Sequence, residues 1–207
     1  MNNPWWNSHR FKVVSVMAVA FGIGLFTATA SALSWQPGPA PKPAAQHAEH
    51  QATSSQSSEQ ADALAKETFE RLKKFEGKWM GRSTKGWEEA ITFKTIAQGS
   101  VVHESSFDAH PNETMATMYY LDGKRLLLTH YCVSKTQPRL QATAFDDGGR
   151  KVTFTFLDGA NLPSRDKGHM DKVVINFIDD SHFTSQWTWY QDGKEKWLEE
   201  IKYERAK

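Results

Sequence analysis

The stretch that most constrains this chain is Met115–Cys132, MATMYYLDGKRLLLTHYC. Asp122-Gly123 stands between two segments of strand-like composition, a strong local signal for a tight antiparallel reversal. Before the turn, Met115, Thr117, Tyr119 and Leu121 alternate with Ala116, Met118 and Tyr120. After it, Leu126, Leu128, His130 and Cys132 alternate with Leu127, Thr129, Tyr131 and Val133. A period of two gives each strand two distinct faces.

Similar units lie on both sides. Upstream, strands are expected from Gly77, from Trp87 to Ile96 and from Val101 to Phe107. Trp87, Glu89, Ile91 and Phe93 share one face. In the third strand neither face is purely apolar. It therefore reads either as presenting polar groups into a cavity or as an edge protected by its charges. Downstream, Gln137-Pro138-Arg139 begins a strand, and Asp147-Gly148-Gly149, Asp179-Asp180 and Asp192-Gly193 mark further reversals. Phe183, Ser185, Trp187 and Trp189 share a face, and Trp197, Glu199, Ile201 and Tyr203 another. The longest break is Asp158–His169, DGANLPSRDKGH, the kind of loop that often carries function.

About ten strands joined mostly by short turns predict an all-β fold, an antiparallel meander. A long meander removes its free edges by closing into a barrel. A two-sheet sandwich has the same local pattern, so closure is an inference.

One helix precedes the strands. Glu59–Glu76, EQADALAKETFERLKKFE, has no glycine or proline, and Ala65, Phe69, Leu72 and Phe75 form one apolar stripe. Ser57 or Ser58 offers a cap, and Gly77 a stop after Lys73 and Lys74. The stripe suits an open barrel end or a dimer contact.

The remaining N-terminal residues read as address and spacer. Arg10 and Lys12 precede the apolar run Val13–Ala28, followed by Ala28-Thr29-Ala30 and Ala30-Ser31-Ala32. That is the order of a secretory signal, assigned to residues 1–32. If retained, the run is long enough at the short limit to contact a membrane. Residues 33–58, with Pro37, Pro39, Pro41 and Pro43 and then Ala, Ser and Gln, read as a disordered tether. The strand-bearing domain is then 59–207. A periplasmic or secreted location is the expectation.

Charge is nearly balanced, at a formal +1, which gives no long-range pull toward nucleic acid. The aromatic strand positions are also not interleaved with basic residues, as a single-strand binder would need. One cysteine excludes an internal disulfide.

FERLKKFEGKWMG, MYYLDGKRLLLTHYC, QPRLQA, GHMDK and HFTSQWTWYQDGKE together resemble an uncharacterised bacterial exported family, across about residues 69–204. That family is in turn similar to the calycin barrels, the lipocalins and fatty-acid-binding proteins. The link is the helix before Gly77-Lys78-Trp79. The resemblance implies a calycin-like barrel with an interior that can hold a ligand, and it implies no activity. Its recurring polar and aromatic positions fall here on Thr129, His130, Tyr131, Cys132, Gln137, Arg139, His169 and Trp187. Relatives carry a second histidine two positions beyond His169. Asp171 stands there in this chain, which departs from a paired-histidine metal site.

His130 sits in the otherwise apolar LLLTHYC. It reads as a hydrogen-bonded interior histidine, or as the group that ligates a metal or haem iron or anchors a polar ligand head. Cys132 shares its face, most simply as an inert thiol. Arg139 reads as a strand-end arginine in solvent or as the partner of a carboxylate on the protein or on a ligand. His169 stands where the long loop meets a strand. Trp187 belongs to an aromatic stripe. These five, with Thr129 and Gln137, are the candidate ligand-binding residues; no catalytic residue is assigned. Metal and haem are left open, since no compact ligand cluster and no C-x-x-C-H motif is present. The expected function is binding of a small, mostly apolar ligand inside the barrel. The alternatives are a solid interaction barrel and a proton-transfer enzyme around His130.

Overall fold

The computed structural model describes residues 46–107 and 112–207. The secretory signal expected at 1–32 and the proline-bearing part of the tether lie outside them. One helix, α1 (Gln46–Lys73), precedes ten strands. These are β1 (Gly77–Ser83), β2 (Glu88–Ile96), β3 (Val101–Ser106), β4 (Met115–Asp122), β5 (Arg125–Tyr131), β6 (Gln137–Asp146), β7 (Lys151–Ala160), β8 (His169–Phe177), β9 (His182–Gln191) and β10 (Lys194–Arg205). Every strand pairs antiparallel with its neighbours in sequence, and β1 pairs with β10, so the meander closes into a barrel. The closing ladder runs from Trp79↔Arg205 to Ser83↔Ile201. β3 pairs with both β2 and β4, so it is not an edge.

Two of the Asp-Gly pairs turn the chain differently. Between β9 and β10, Asp192 and Gly193 form the two-residue loop, and both have positive φ, 52° and 80°, as a type I′ hairpin turn requires. Between β4 and β5, Asp122 still pairs with Arg125, and the loop is Gly123-Lys124 with φ +60° at the glycine. That fits a turn of the II′ kind.

The helix begins at Gln46, not at Glu59. The second half of the expected tether is therefore helical, and Ser57 and Ser58 lie inside α1 rather than capping it. Pro43 is the last breaker before Gly77, so nothing in the Ala-Gln-Ser run ends the helix. Ala65, Phe69, Leu72 and Phe75 are all buried, as the stripe predicts. The Phe75 ring lies 4.6–5.5 Å from those of Trp79, Phe93, Phe177 and Phe183. These four belong to the start of β1, the end of β2, the end of β8 and the start of β9. The apolar stripe thus covers one end of the barrel.

Arg205 locks that end. Its guanidinium donates to the carbonyls of Lys74 and Glu76, both at 2.8 Å, and lies 4.3 Å from the Trp79 ring. Carbonyls left over at a helix C-terminus need such donors. Farther in, Phe183 stacks on Tyr203 at 4.4 Å and 12°. Gly81 is required beside them, because a Cβ there would lie 2.6 Å from the Tyr203 ring. The middle of the barrel is closely packed.

Toward the opposite end the barrel loosens. β7 runs on to Ala160, so the break is Asn161–Gly168, shorter than the sequence suggests. The β7–β8 ladder stops at Thr155↔Lys172, leaving the end of β7 paired with β6 alone. A bulge separates Met170 from Lys172 on β8.

Candidate functional site

The end away from the helix is built from polar side chains on the inner face. Its origin lies in the strand period. On β2, Glu89 keeps the phase of Ile91 and Phe93; on β3, Glu104 and Ser106 keep that of Val102; on β10, Glu199 keeps that of Ile201 and Tyr203. Thr117 on β4, His130 on β5 and Trp187 on β9 complete the set, and all are buried. Cross-strand register links them: Glu104 faces Thr117, Thr117 faces His130, and Glu199 faces Trp187.

The hydrogen bonds form small pairs. Tyr119 donates to Glu104 Oε2 at 2.7 Å, and Ser106 to Glu104 Oε1 at 2.9 Å. Tyr203 donates to Glu89 Oε1. The Trp87 indole N–H reaches both oxygens of Glu199, at 3.1 and 3.2 Å. His130 Nδ1 lies 3.0 Å from Thr117 Oγ1, and its ring is 4.9 Å from that of Trp187. Among the described residues six buried side-chain atoms have no hydrogen-bond partner, and two of them, Glu89 Oε2 and His130 Nε2, belong to this set. An orphaned polar atom of this kind costs a fold about 1–3 kcal/mol.

Burial sets the protonation states. Loss of water pushes the Glu89 carboxyl up to about 7; the Tyr203 bond opposes this, and the negative charge of Glu104 adds to it. Glu104 and Glu199 are also raised by burial. The Tyr119 and Tyr203 hydroxyls are pushed well above their usual range by burial and by the adjacent carboxyls. His130 is lowered to about 4 by burial alone, so its ring is neutral at ordinary pH.

His169 is fully buried where the loop Asn161–Gly168 meets β8. Its Nδ1 lies 2.6 Å from the Lys167 carbonyl, which makes Nδ1 the donor and leaves Nε2 to accept from Arg165. The Arg165 guanidinium lies 4.2 Å from the Phe156 ring and 4.1 Å from the Tyr190 ring, and it pairs with Asp171. Both nitrogens of His169 are thus used to hold the loop. Asp171 is the carboxylate that fixes Arg165.

The other sequence candidates stand elsewhere. Thr129, Gln137 and Arg139 do come together, with Tyr131, Ala160 and Asn161, around an open depression of about 550 Å³. It lies on the outer face, opposite in phase to His130. Arg139 pairs there with Asp158 through two hydrogen bonds, and Asn161 donates to Gln137 at 2.7 Å. Cys132 is a free, half-buried thiol in the turn after β5, where its N–H donates to the Thr136 carbonyl. At the helix end, a depression of about 450 Å³ is lined by Arg71, Arg150 and Arg205 among others. Each of these arginines already holds a carboxylate or carbonyl. Among the described residues no group of three or more His, Cys, Asp or Glu side chains is placed to hold a metal ion.

The glutamates of the site, with Tyr119 and Tyr203 bonded to them, are what sequence reasoning missed as site residues. The signal was present, because each glutamate shares its phase with aromatic or branched apolar residues.

A ten-stranded barrel with buried aromatic and apolar lining is consistent with an internal ligand-binding cavity. No protein-family model matches the chain. The comparison with curated proteins also gives no match. Among solved structures, a protein of unknown function from the DUF3598 family of Nostoc punctiforme is similar at 11% identity and a TM-score of 0.42. The match covers 65% of this chain and 49% of that one, so the chain spans about half of that protein's length. A likeness at this level bears on neither fold nor function.

Proposed function

We propose that this chain is an exported binding protein that takes a small ligand into the open end of its barrel, apolar body inward among the rings and polar head against His130. The observation that carries this reading is His130 itself. It is 3% exposed, held by Thr117 on one nitrogen, set at a tilt beside the Trp187 ring, and its Nε2 has no partner. A buried polar atom kept without a partner weakens a fold, and a ligand that bonds it removes the penalty. The packed middle layer at Gly81 and Tyr203 sets the floor, so the ligand is small. Export is supported by the basic flank, the apolar run and the small-x-small sites of residues 1–32. A calycin-like placement agrees with the helix-capped meander.

The test is one sample weighed twice. Native mass spectrometry of the freshly purified exported protein is expected to show a discrete excess over the denatured mass, and His130→Ala is expected to lose it while staying folded. The denatured mass is expected to show cleavage after Ala30 or Ala32. Equal native and denatured masses in the wild type, with no uptake of added ligands, would overturn the binding reading in favour of a solid interaction barrel. A denatured mass that retains residues 1–32 would overturn the export reading.

A further inference from the structure

The inference drawn here rests on the interior-binding reading above and concerns the chemistry of the ligand's head. Three glutamates, Glu89, Glu104 and Glu199, are buried at the end away from the helix, while no lysine or arginine is buried among the described residues. Buried carboxyl groups are ordinarily matched by a cation or by a full set of donors. Glu104 has its donors in Tyr119 and Ser106, and Glu199 has the Trp87 indole. The exposed Lys85 bears electrostatically on Glu199. Glu89 accepts from the Tyr203 hydroxyl and the Phe107 backbone N–H also acts on it, while its Oε2 is buried without a hydrogen-bond partner. His130 Nε2 is a second unpartnered buried atom at the same end.

We propose that the head group is a small organic cation, a primary ammonium or an amidinium, which donates to Glu89 Oε2 while the apolar body lies beside Trp187. An ammonium carries three donors and no acceptor, which complements a lining whose free carboxyl oxygen accepts. When His130 donates its Nδ1–H to Thr117 Oγ1, Nε2 presents a lone pair and is a second unpartnered acceptor at the same end. A carboxylate or phosphate head would meet no buried cation and, once Glu89 is ionised, a like charge, so the ionised site selects against anions. This excludes the fatty-acid type of ligand that an interior arginine would hold.

Two matched series test it: benzylammonium, benzyl alcohol and benzoate, and hexylammonium, hexanol and hexanoate, followed by thermal shift and calorimetry on the purified full chain. The ammonium members are expected to bind at least about tenfold tighter than their alcohols, with no binding by the acids. Glu89→Gln is expected to remove that preference while alcohols still bind, and Glu104→Gln, measured beside it, provides a second readout should the first variant not fold. If alcohols or acids bind as tightly as the ammonium compounds, the cationic head is overturned while interior binding stands. If the preference survives unchanged in the folded glutamate variants, the cation binds outside the barrel and the assignment fails. If no member of either series binds the wild type, interior binding fails with it.

Discussion

The two ends of the barrel are built on the same inner-face period and put it to opposite uses. At the helix-capped end the inward positions are Trp79, Phe93, Phe177 and Phe183 around Phe75, rings that pack on one another, with the Trp79 indole N–H donating to the Phe75 carbonyl. At the open end they are Glu89, Glu104, Thr117, His130 and Glu199, groups that need partners and do not all have them. A chain selected for stability alone would repeat rings at both ends, since burying carboxyl groups and leaving two polar atoms unbonded opposes folding. The difference separates the part of the barrel that holds it together from the part that is kept for something else.

The largest expected effect lies at the capped end. Phe75→Ala removes the ring that joins α1 to four barrel aromatics, and is expected to cost about 3–5 kcal/mol of stability in urea or thermal unfolding. Ammonium binding by whatever fraction remains folded should be unchanged. A loss below about 1 kcal/mol would show that α1 does not close the barrel.

This contrast also explains what could be read from the sequence. The capped end was legible because rings at helical and strand spacing admit one economical arrangement, and the stripe Ala65, Phe69, Leu72, Phe75 is buried as its period requires. The number of strands and most of the turns followed from alternation and from Asp-Gly chemistry. The opposite end was legible only in His130 and Trp187, whose rings the structure brings into tilted contact. Glutamate is so rarely buried that Glu89, Glu104 and Glu199 were not singled out as candidates, although each shares its phase with apolar neighbours. Thr129 and His130 are adjacent, so alternation alone sends them to opposite faces. On β6, bulges at Arg139/Leu140 and Ala142/Ala144 shift the phase, which residue types do not announce. The helix start was missed because a missing breaker is a weaker signal than a present one.

The next effects are those of pH at the open end, and two groups there work against each other. Glu89 rises from 4.5 to about 7 on folding, so the folded state holds its proton more tightly than the unfolded chain does. Its stabilising contribution is full below about 4.5 and is lost as pH rises through about 7, on the order of 3 kcal/mol in all. His130 falls from 6.5 to about 4, so its contribution is present above about 6.5 and is lost as pH falls through about 4, again on the order of 3 kcal/mol. Glu104 and Glu199, also raised by burial, act in the same sense as Glu89; Tyr119 and Tyr203 stay neutral across this range, and Lys85 acts on Glu199 from outside.

In the wild type the slopes of Glu89 and His130 oppose each other between about pH 4.5 and 6.5. Stability curves against pH should separate them. The wild-type minus Glu89→Gln difference is expected to fall from pH 4.5 to 7, and the wild-type minus His130→Gln difference to rise from pH 4 to 6.5. Flat difference curves would mean that water reaches these groups and that the open end is not the dry polar layer described above.

The smallest expected effect lies on the outside of the same wall. Arg139 and Asp158 form a two-bond ion pair on neighbouring strands, beside Thr129, Tyr131 and Gln137 around the outer depression. Both side chains are about half exposed, at 42% and 52%. A pair so open to water gains little from Coulomb attraction and loses side-chain freedom in forming, so Arg139→Ala is expected to cost no more than about 1 kcal/mol, and less in high salt. Because Thr129 and Arg139 are out of phase with His130, the substitution should leave the retained mass and the ammonium preference untouched. Arg139→Ala that folded normally yet released the ligand would reverse the comparison between the two faces: the outer depression would then be the binding surface, and the polar layer within would be part of the core.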